Sequence, residues 1–442
     1  MCKKILLCFL AAFVFGCGTS FSEVMNLEEC VKTAIQKNPK IRAANHMLSA
    51  SESGVKAARS DFLPSISASG SLKRLSNIKS TGQADTDYLD QYATNYYVTM
   101  SQILYSGSGV FNTWQRAKLE KEMYEAEKKL KTIEIVYQIH KMFFELMKAE
   151  EESRIWEQRL ESLKANVSLA QALYEKKFIT LPELLDAGVE LENAILQKSV
   201  SDNNEKRKRA ELISLMGLDM DSEIEFEKST DYRLAPLEEN FDKLMHAAQN
   251  TRPDIKSLKK QIAIAGKNAA IEKGRHLPKV RFNAGYYDTD KNYDEKGKQT
   301  SIFGTTYYDR DQRNRYWSAE ILVQMSVFDG GRAWYTKEKY LDEARKYESI
   351  LQNTLNNIST GIKKALFSIE DAKYRIEVSK RAEKSAREFA EMEKSRFNSG
   401  LCPLADLLEA EEKYARAKSN FTSAKIDLQL AYSELKFMVG DL

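Results

Sequence analysis

The chain has 442 residues, 30% of them charged, with 67 basic residues set against 64 acidic ones. So even a balance supplies no field to recruit nucleic acid, and no apolar run reaches the roughly 18 residues of a membrane-spanning helix, which excludes nucleic-acid binding and helical membrane transport. Nineteen glycines and seven prolines are about half the usual share, a composition that favours long uninterrupted helices.

Residues 1–22 read as a secretory signal: Lys3 and Lys4 precede eleven apolar residues, Ile5 to Phe15, and small residues follow. Two processing routes fit, cleavage after Ser22 or attachment of a lipid to Cys17, and the bulky Phe15 favours the first. Removing the segment lowers the formal charge from +3 to +1. Three of the five cysteines lie in it, so beyond Cys17 the exported chain carries only Cys30 and Cys402 and has no disulfide framework.

The rest is a tandem repeat. Asn38-Pro39 and Leu63-Pro64 recur as Arg252-Pro253 and Leu277-Pro278, displaced by 214 residues. Leu184-Leu185-Asp186-Ala187 and Met216-Gly217 recur as Leu407-Leu408-Glu409-Ala410 and Val439-Gly440, displaced by 223. The extra residues are expected in the hydrophilic stretch 288–315. This spacing divides the chain into a first repeat at 23–218, a Pro-containing acidic linker at 219–240 and a second repeat at 241–442.

Each repeat is predicted to run helix, strand pair, long helix, shorter helix. A helix at 39–62 leads to Ile66, Ala68, Gly70 and Leu72, which alternate with serines, and a return strand follows at about 92–105. Glycines in Ser106-Gly107-Ser108-Gly109 then end the strand, and a heptad seam begins: Leu119, Met123, Ala126, Leu130, Ile133, Tyr137, His140, Phe144, Met147. The seam slips near 148–155 and resumes at Trp156, Leu160, Leu163, Val167, Ala170 and Tyr174. At 1.5 Å per residue, a helix over 110–177 is about 100 Å long. The helices at 39–62 and 182–216 would flank it end to end, giving a rod with strands at one end and a tight helical turn at the other.

The second repeat follows the same order. Val280, Phe282, Ala284 and Tyr286 alternate with polar residues, as do Trp317, Ala319, Ile321, Val323, Met325 and Val327. After Asp329-Gly330-Gly331 a seam runs Leu351, Leu355, Ile358, Ile362, Ala365, Ile369, Ala372, Ile376. The last helix carries another, Leu407, Ala410, Tyr414, Ala417, Phe421, Ala424, Leu428, Ala431, Leu435, Met438. Four strands of about ten residues can each cross a bilayer when tilted, but the smallest barrels need about eight, and in lipid every edge must be paired. Several chains would have to share one barrel. Tyr96, Tyr97, Tyr286, Tyr287 and Trp317 are expected near strand ends, as an interfacial girdle. The alternative is a soluble periplasmic coiled-coil scaffold whose small sheet caps a helical rod.

These residues resemble the TolC-type outer-membrane efflux channels. The likeness rests on Asn38-Pro39 after an amphipathic helix, the Leu-Pro strand openings, Gln102-Ile103-Leu104-Tyr105-Ser106-Gly107, Val327-Phe328-Asp329-Gly330-Gly331 and the Leu-Leu-acid-Ala helix starts. It implies a mainly α fold with a small β part, in which a trimer closes a twelve-stranded outer-membrane barrel joined to a periplasmic α-helical tunnel. It further implies a passive exit duct for small toxic compounds or polypeptides. Its partners would be a periplasmic adaptor (membrane fusion protein), a proton-driven or ATP-driven inner-membrane pump, and outer-membrane lipid.

No catalytic constellation is legible: His46, His140, His246 and His276 are scattered, and no metal motif, phosphate loop or nucleophile elbow is present. No cofactor is expected. His140 lies on a seam and is expected to pack in the core. Asp288, Asp290, Asn292 and Asp294 imitate half a calcium loop, but Tyr293 and Gln299 stand where glycine and glutamate are required, so a solvated loop is expected. Asp406 and Glu409, with repeat equivalents Glu183 and Asp186, follow the helical turns at a spacing of three, where acids complement a helix start. The resemblance assigns Asp406 and Glu409 to a constricting acidic ring at the periplasmic gate. Cys402 departs from the latching arginine of many members, and Phe397 from a latching tyrosine. In the turns, Phe178, Ile179, Leu401 and Cys402 are expected as exposed tips, which the resemblance assigns to adaptor contact.

Overall fold

The computed structural model describes residues 24–79, 88–220, 224–227, 239–293, 297–301, 303–308 and 311–441, so the signal segment and Cys17 lie outside the described residues. The first elements are β1 (Val24–Met25), α1 (Leu27–Lys37), α2 (Pro39–Ser60), β2 (Ser65–Lys79), β3 (Tyr88–Ser106), α3 (Gly109–Glu175) and α4 (Leu181–Met216). Then come β4 (Glu225–Phe226), α5 (Phe241–Thr251), α6 (Pro253–Lys273), β5 (Lys279–Tyr293), β6 (Gly297–Ser301), β7 (Gly304–Tyr308), β8 (Gln312–Gln324), α7 (Arg332–Asn398) and α8 (Leu404–Val439). Helix lengths recur: α1 and α5 have 11 residues, α3 and α7 have 67, and α4 and α8 have 36. None of the described helices is long and apolar enough to cross a membrane.

The chain forms two compact units. One comprises Arg42–Lys131 and Phe241–Gly361, and the other the described parts of Met1–Ile41, Thr132–Asn240 and Ile362–Leu442.

The unit containing α4 and α8 is helical. Its larger core gathers Leu27, Cys30 and Ala34 of α1, Ile135, Ile139, Phe143, Phe144 and Leu146 of α3, Leu212, Ile213 and Met216 of α4, and Phe226. Here α3 buries two adjacent stripes, because α1 and α4 both pack on it, whereas a single seam was expected. A capping box starts α1: Asn26 Oδ1 accepts from Glu29 N and Glu29 Oε2 accepts from Asn26 N, both at 2.9 Å. Asn38 explains the Asn-Pro signal, since it is buried, caps α2 through Lys40 N at 2.8 Å and donates to Leu215 O at 2.6 Å. Gly217 sits at φ 74°, and a Cβ there would lie 2.7 Å from Lys37 O, so both backbone conformation and close approach require glycine. Within the supposed linker, β4 pairs in parallel with β1 and Phe226 enters the core, so that stretch is partly structured.

The other unit holds an antiparallel sheet in the order β2-β3-β5-β8, with β2 and β8 as edges. Three expectations need correction. The stretch 288–315 is not a solvated loop among its described residues: β5 continues to Tyr293, β8 begins at Gln312, and β6 pairs with β7 between them. Asp288 accordingly lies in a strand, where its Oδ2 accepts from Arg313 and Arg315, each at 3.1 Å; Asp294 lies outside the described residues. A ladder is built from backbone groups, so polar strand ends extend it as readily as apolar ones. As a result Tyr96, Tyr97, Tyr286, Tyr287 and Trp317 fall in mid-strand. Finally, β8 stops at Gln324, leaving Val327 and Phe328 outside the sheet and exposed.

Candidate functional site

Two regions carry chemistry, one in each unit. The first is the sheet. Paired residues share a face, and register puts Ser65, Ser101, Asn283 and Glu320 in one row, Ser67, Thr99, Gly285 and Ser318 in the next, and Ser69, Tyr97, Tyr287 and Tyr316 in a third. This face is polar and bonded across strands. Ser101 donates to Asn283 Oδ1 at 2.9 Å, Asn283 donates to Glu320 Oε1 at 2.9 Å, and the hydroxyls of Ser67 and Thr99 meet at 2.8 Å. Tyr97, Tyr287 and Tyr316 stack with centroids 6.0 and 5.0 Å apart.

The opposite face is apolar, with rows Ile66-Met100-Ala284-Ala319 and Ala68-Val98-Tyr286-Trp317 and, beyond them, Phe282-Ile321 and Val280-Val323. On the central strand β3 it is also the more open one: Tyr96 and Val98 of the apolar face are 61% and 49% exposed, while Tyr97, Thr99 and Ser101 of the polar face are half-buried; residues 65–74 of β2 and all of β8 are exposed on both faces. An apolar face left in the open is the reverse of a water-soluble sheet and suits hydrocarbon.

The second region is the pair of helical turns. The end of α3, the starts of α4 and α8 and Phe397 of α7 enclose a second core of Leu163, Ala170, Ala187, Ala194, Leu404, Leu407 and Leu408, with Ile179 packed against it. Arg159 of α3 bridges to Glu190 of α4 and Glu412 of α8 at 3.6 and 3.8 Å, and Ser162 donates to Glu411 of α8 at 2.8 Å. Both turns close α3 and α7 with the same pair of reversed hydrogen bonds. Phe178 N donates to Leu173 O and Lys177 N to Tyr174 O; Leu401 N donates to Arg396 O and Gly400 N to Phe397 O, all at 2.9 Å.

Of the four predicted tip residues, Phe178 and Leu401 are 75% and 70% exposed. Ile179 and Cys402 do not match that expectation, because each is only partly exposed: Ile179 turns into the core, and Cys402 Sγ lies 3.6 Å from Glu393 O, to which it donates. Burial, followed by the Glu393 contact, raises the Cys402 thiol pKa.

The acids divide by role. Glu183 Oε2 accepts from the backbone N and hydroxyl of Thr180 at 2.6 and 3.0 Å, and the backbone bond first of all lowers its pKa. It is a capping residue. Asp186, Asp406 and Glu409 are exposed, and Glu409 is paired with Lys413 at 2.5 Å. Two residues absent from the sequence-based set stand beside Asp406. Glu393 is 4% exposed with Oε1 accepting from Arg396 at 2.6 Å, a pairing that raises the Arg396 pKa. Their one signal is the spacing of three between them, which many acid-base pairs of this chain share. His140 is a core residue as expected, with Nδ1 3.0 Å from Ser433 Oγ.

The model for outer membrane efflux proteins matches residues 30–218 and 244–441. Outer membrane protein TolC of Vibrio cholerae serotype O1 is 21% identical over 460 residues, covering 100% of this chain and 96% of its own. Among solved structures, the Campylobacter jejuni CmeC outer membrane channel superposes with a TM-score of 0.77 at 17% identity, over 94% of this chain and 85% of that one. The outer membrane protein VceC of Vibrio cholerae gives 0.72 at 16% identity, over 94% and 96%. The fold is mainly helical with a small β part, that of these outer-membrane channel proteins. The chain belongs to the outer membrane efflux protein family, and its place is the outer membrane, with the helical part in the periplasm.

Proposed function

We propose that this chain is the passive exit duct of a tripartite efflux or type I secretion system, formed when three copies close their four-stranded sheets into one twelve-stranded barrel. The observation that carries this reading is the sheet itself. It has an exposed apolar face, a hydrogen-bonded polar face and two free edges on β2 and β8, and three such sheets exceed the roughly eight strands that closure requires. A soluble periplasmic scaffold would have no use for so open an apolar face. In the duct, Asp406 and Glu409 form the acidic constriction, with Asp186 adding charge and Glu183 holding its helix start. Phe178 and Leu401, with Ile179 and Cys402 behind them, form the turns that meet a periplasmic adaptor linked to a proton-driven or ATP-driven inner-membrane pump.

Fractionation and planar-bilayer recording test this together. Heat-sensitive trimers in the outer membrane fraction, conducting with cation preference, are the expected result, and a carbonate-soluble monomer would overturn the reading. The double substitution Asp406→Asn and Glu409→Gln is expected to reduce cation selectivity and block by multivalent cations without changing trimer stability, since rings of like charge attract cations. Unaltered selectivity would return both acids to the role of ordinary helix-start residues. Loss of resistance to toxic compounds on gene deletion favours small-molecule efflux; loss of one exported polypeptide favours secretion.

A further inference from the structure

At the turn between α7 and α8, a carboxylate oxygen of Glu393, Sγ of Cys402 and a carboxylate oxygen of Asp406 all lie within 4.8 Å of one another. The acids and the thiol alone would mean little, because exposed carboxylates cluster without purpose. Glu393 is different. Its side chain is only 5% exposed, Oε1 is taken by Arg396, and Oε2 is buried with no hydrogen-bond donor in reach. A buried carboxylate oxygen without a partner is costly, and the side chain that carries it is one of the three in the cluster. A bound cation would satisfy it.

We propose that Glu393, Cys402 and Asp406 bind one divalent cation of the zinc class in each chain, tying the end of α7, the turn and the start of α8 together. The donor set selects the ion: a thiolate with two carboxylates suits Zn²⁺, Cd²⁺ or Co²⁺ and is a poor cage for Mg²⁺ or Ca²⁺, which require oxygen ligands. Charge also balances. Binding displaces the thiol proton to water, leaving three negative ligands, and the divalent ion with the adjacent Arg396 guanidinium offsets them. Bonds of about 2.0–2.3 Å in a tetrahedral site place ligand atoms roughly 3.5 Å apart. The cluster, whose ligand atoms lie within 4.8 Å of one another, therefore has to contract by no more than about 1 Å, which the exposed Asp406 side chain and Cys402 in its turn can supply. Water completes the fourth position. The site depends only on this turn, and it stands whether or not Asp406 also faces a pore.

Thiol alkylation and cobalt absorption of the purified, chelator-treated protein without residues 1–22 test it. Its two thiols are Cys30 and Cys402, and Cys30 is fully buried, so alkylation of the folded chain reports on Cys402. Zn²⁺ is expected to slow that alkylation with a stoichiometry of one per chain, and Co²⁺ to produce a thiolate charge-transfer band. Cys402→Ser should abolish the band and weaken Zn²⁺ binding by about tenfold or more, and Asp406→Asn and Glu393→Gln should each weaken it comparably. Glu391→Gln, an exposed acid two residues before Glu393 on α7, should leave it unchanged. If Zn²⁺ gave no protection, or if Cys402→Ser bound Zn²⁺ with wild-type affinity and stoichiometry, the proposal would fail. Cys402→Ser changes one atom of a half-exposed side chain, so this comparison remains decisive even if Glu393→Gln does not fold.

Discussion

Lys177 adopts φ 63°, the left-handed conformation that its repeat equivalent Gly400 takes at φ 71°. A β-carbon is disfavoured there by about 1–2 kcal/mol, so Lys177→Gly is expected to stabilise the first turn by about 1 kcal/mol, read as slower hydrogen exchange at the end of α3. His140 carries a pH dependence. Burial first, and Lys436 second, lower its pKa from 6.5 to about 4. The unfolded chain therefore takes up a proton below pH 6.5 that the folded chain refuses. Stability from this residue is complete above pH 6.5 and falls as pH drops towards 4, by roughly 3 kcal/mol at the acid end. Hydrogen exchange of the α3 amides around His140 should show that loss, and His140→Gln, which does not titrate, should flatten it.

Among elements, the sheet makes the sharpest demand, because adjacent residues on one strand face opposite surroundings. Val98 lies on the exposed apolar face of β3 and Thr99 on the polar face. Val98→Arg is expected to destabilise the membrane-inserted protein by about 2–4 kcal/mol, whereas Thr99→Arg should cost far less. Urea unfolding in lipid bilayers measures both, and equal penalties would mean that the apolar face does not meet lipid. Among the helices, α3 shows how one long element serves several neighbours. It buries Ile135, Ile139 and Phe143 against α1 and α4, then Leu163 and Ala170 at the turns, without a break in the helix. The slip expected near 148–155 is thus a change of buried face within one continuous element.

For the whole molecule, the free edges of β2 and β8 determine what can assemble. All three pairings are antiparallel in a sheet of four strands, so β8 of one copy runs antiparallel to β2 of the next and the same ladder can continue until it closes. Cysteines at Ser65, Ser67 or Ser69 of β2, each combined with one at Ser318 of β8, should crosslink chain to chain. The largest oxidised product should be a trimer. Products longer than three chains would indicate an open polymer and defeat the closed barrel.

Much of this architecture was legible in the residues themselves. Heptad seams, strand alternation and the paired displacements of 214 and 223 reflect local periodicity, which depends only on which side of an element meets apolar surroundings. Gly217, which the repeat displacement already marked, stops α4 in the left-handed conformation that a helix end needs. What only the tertiary structure decided involves partners distant in sequence. Polar residues such as Asp288 joined a strand because Arg313 and Arg315 face them from β8, and Glu225–Phe226 paired with Val24–Met25 just over two hundred residues away. At the turn, Glu393 could not be told from the chain's other acids until folding buried it beside Cys402 and Asp406. Burial without a partner is a property of the packed surroundings, and no periodicity records it.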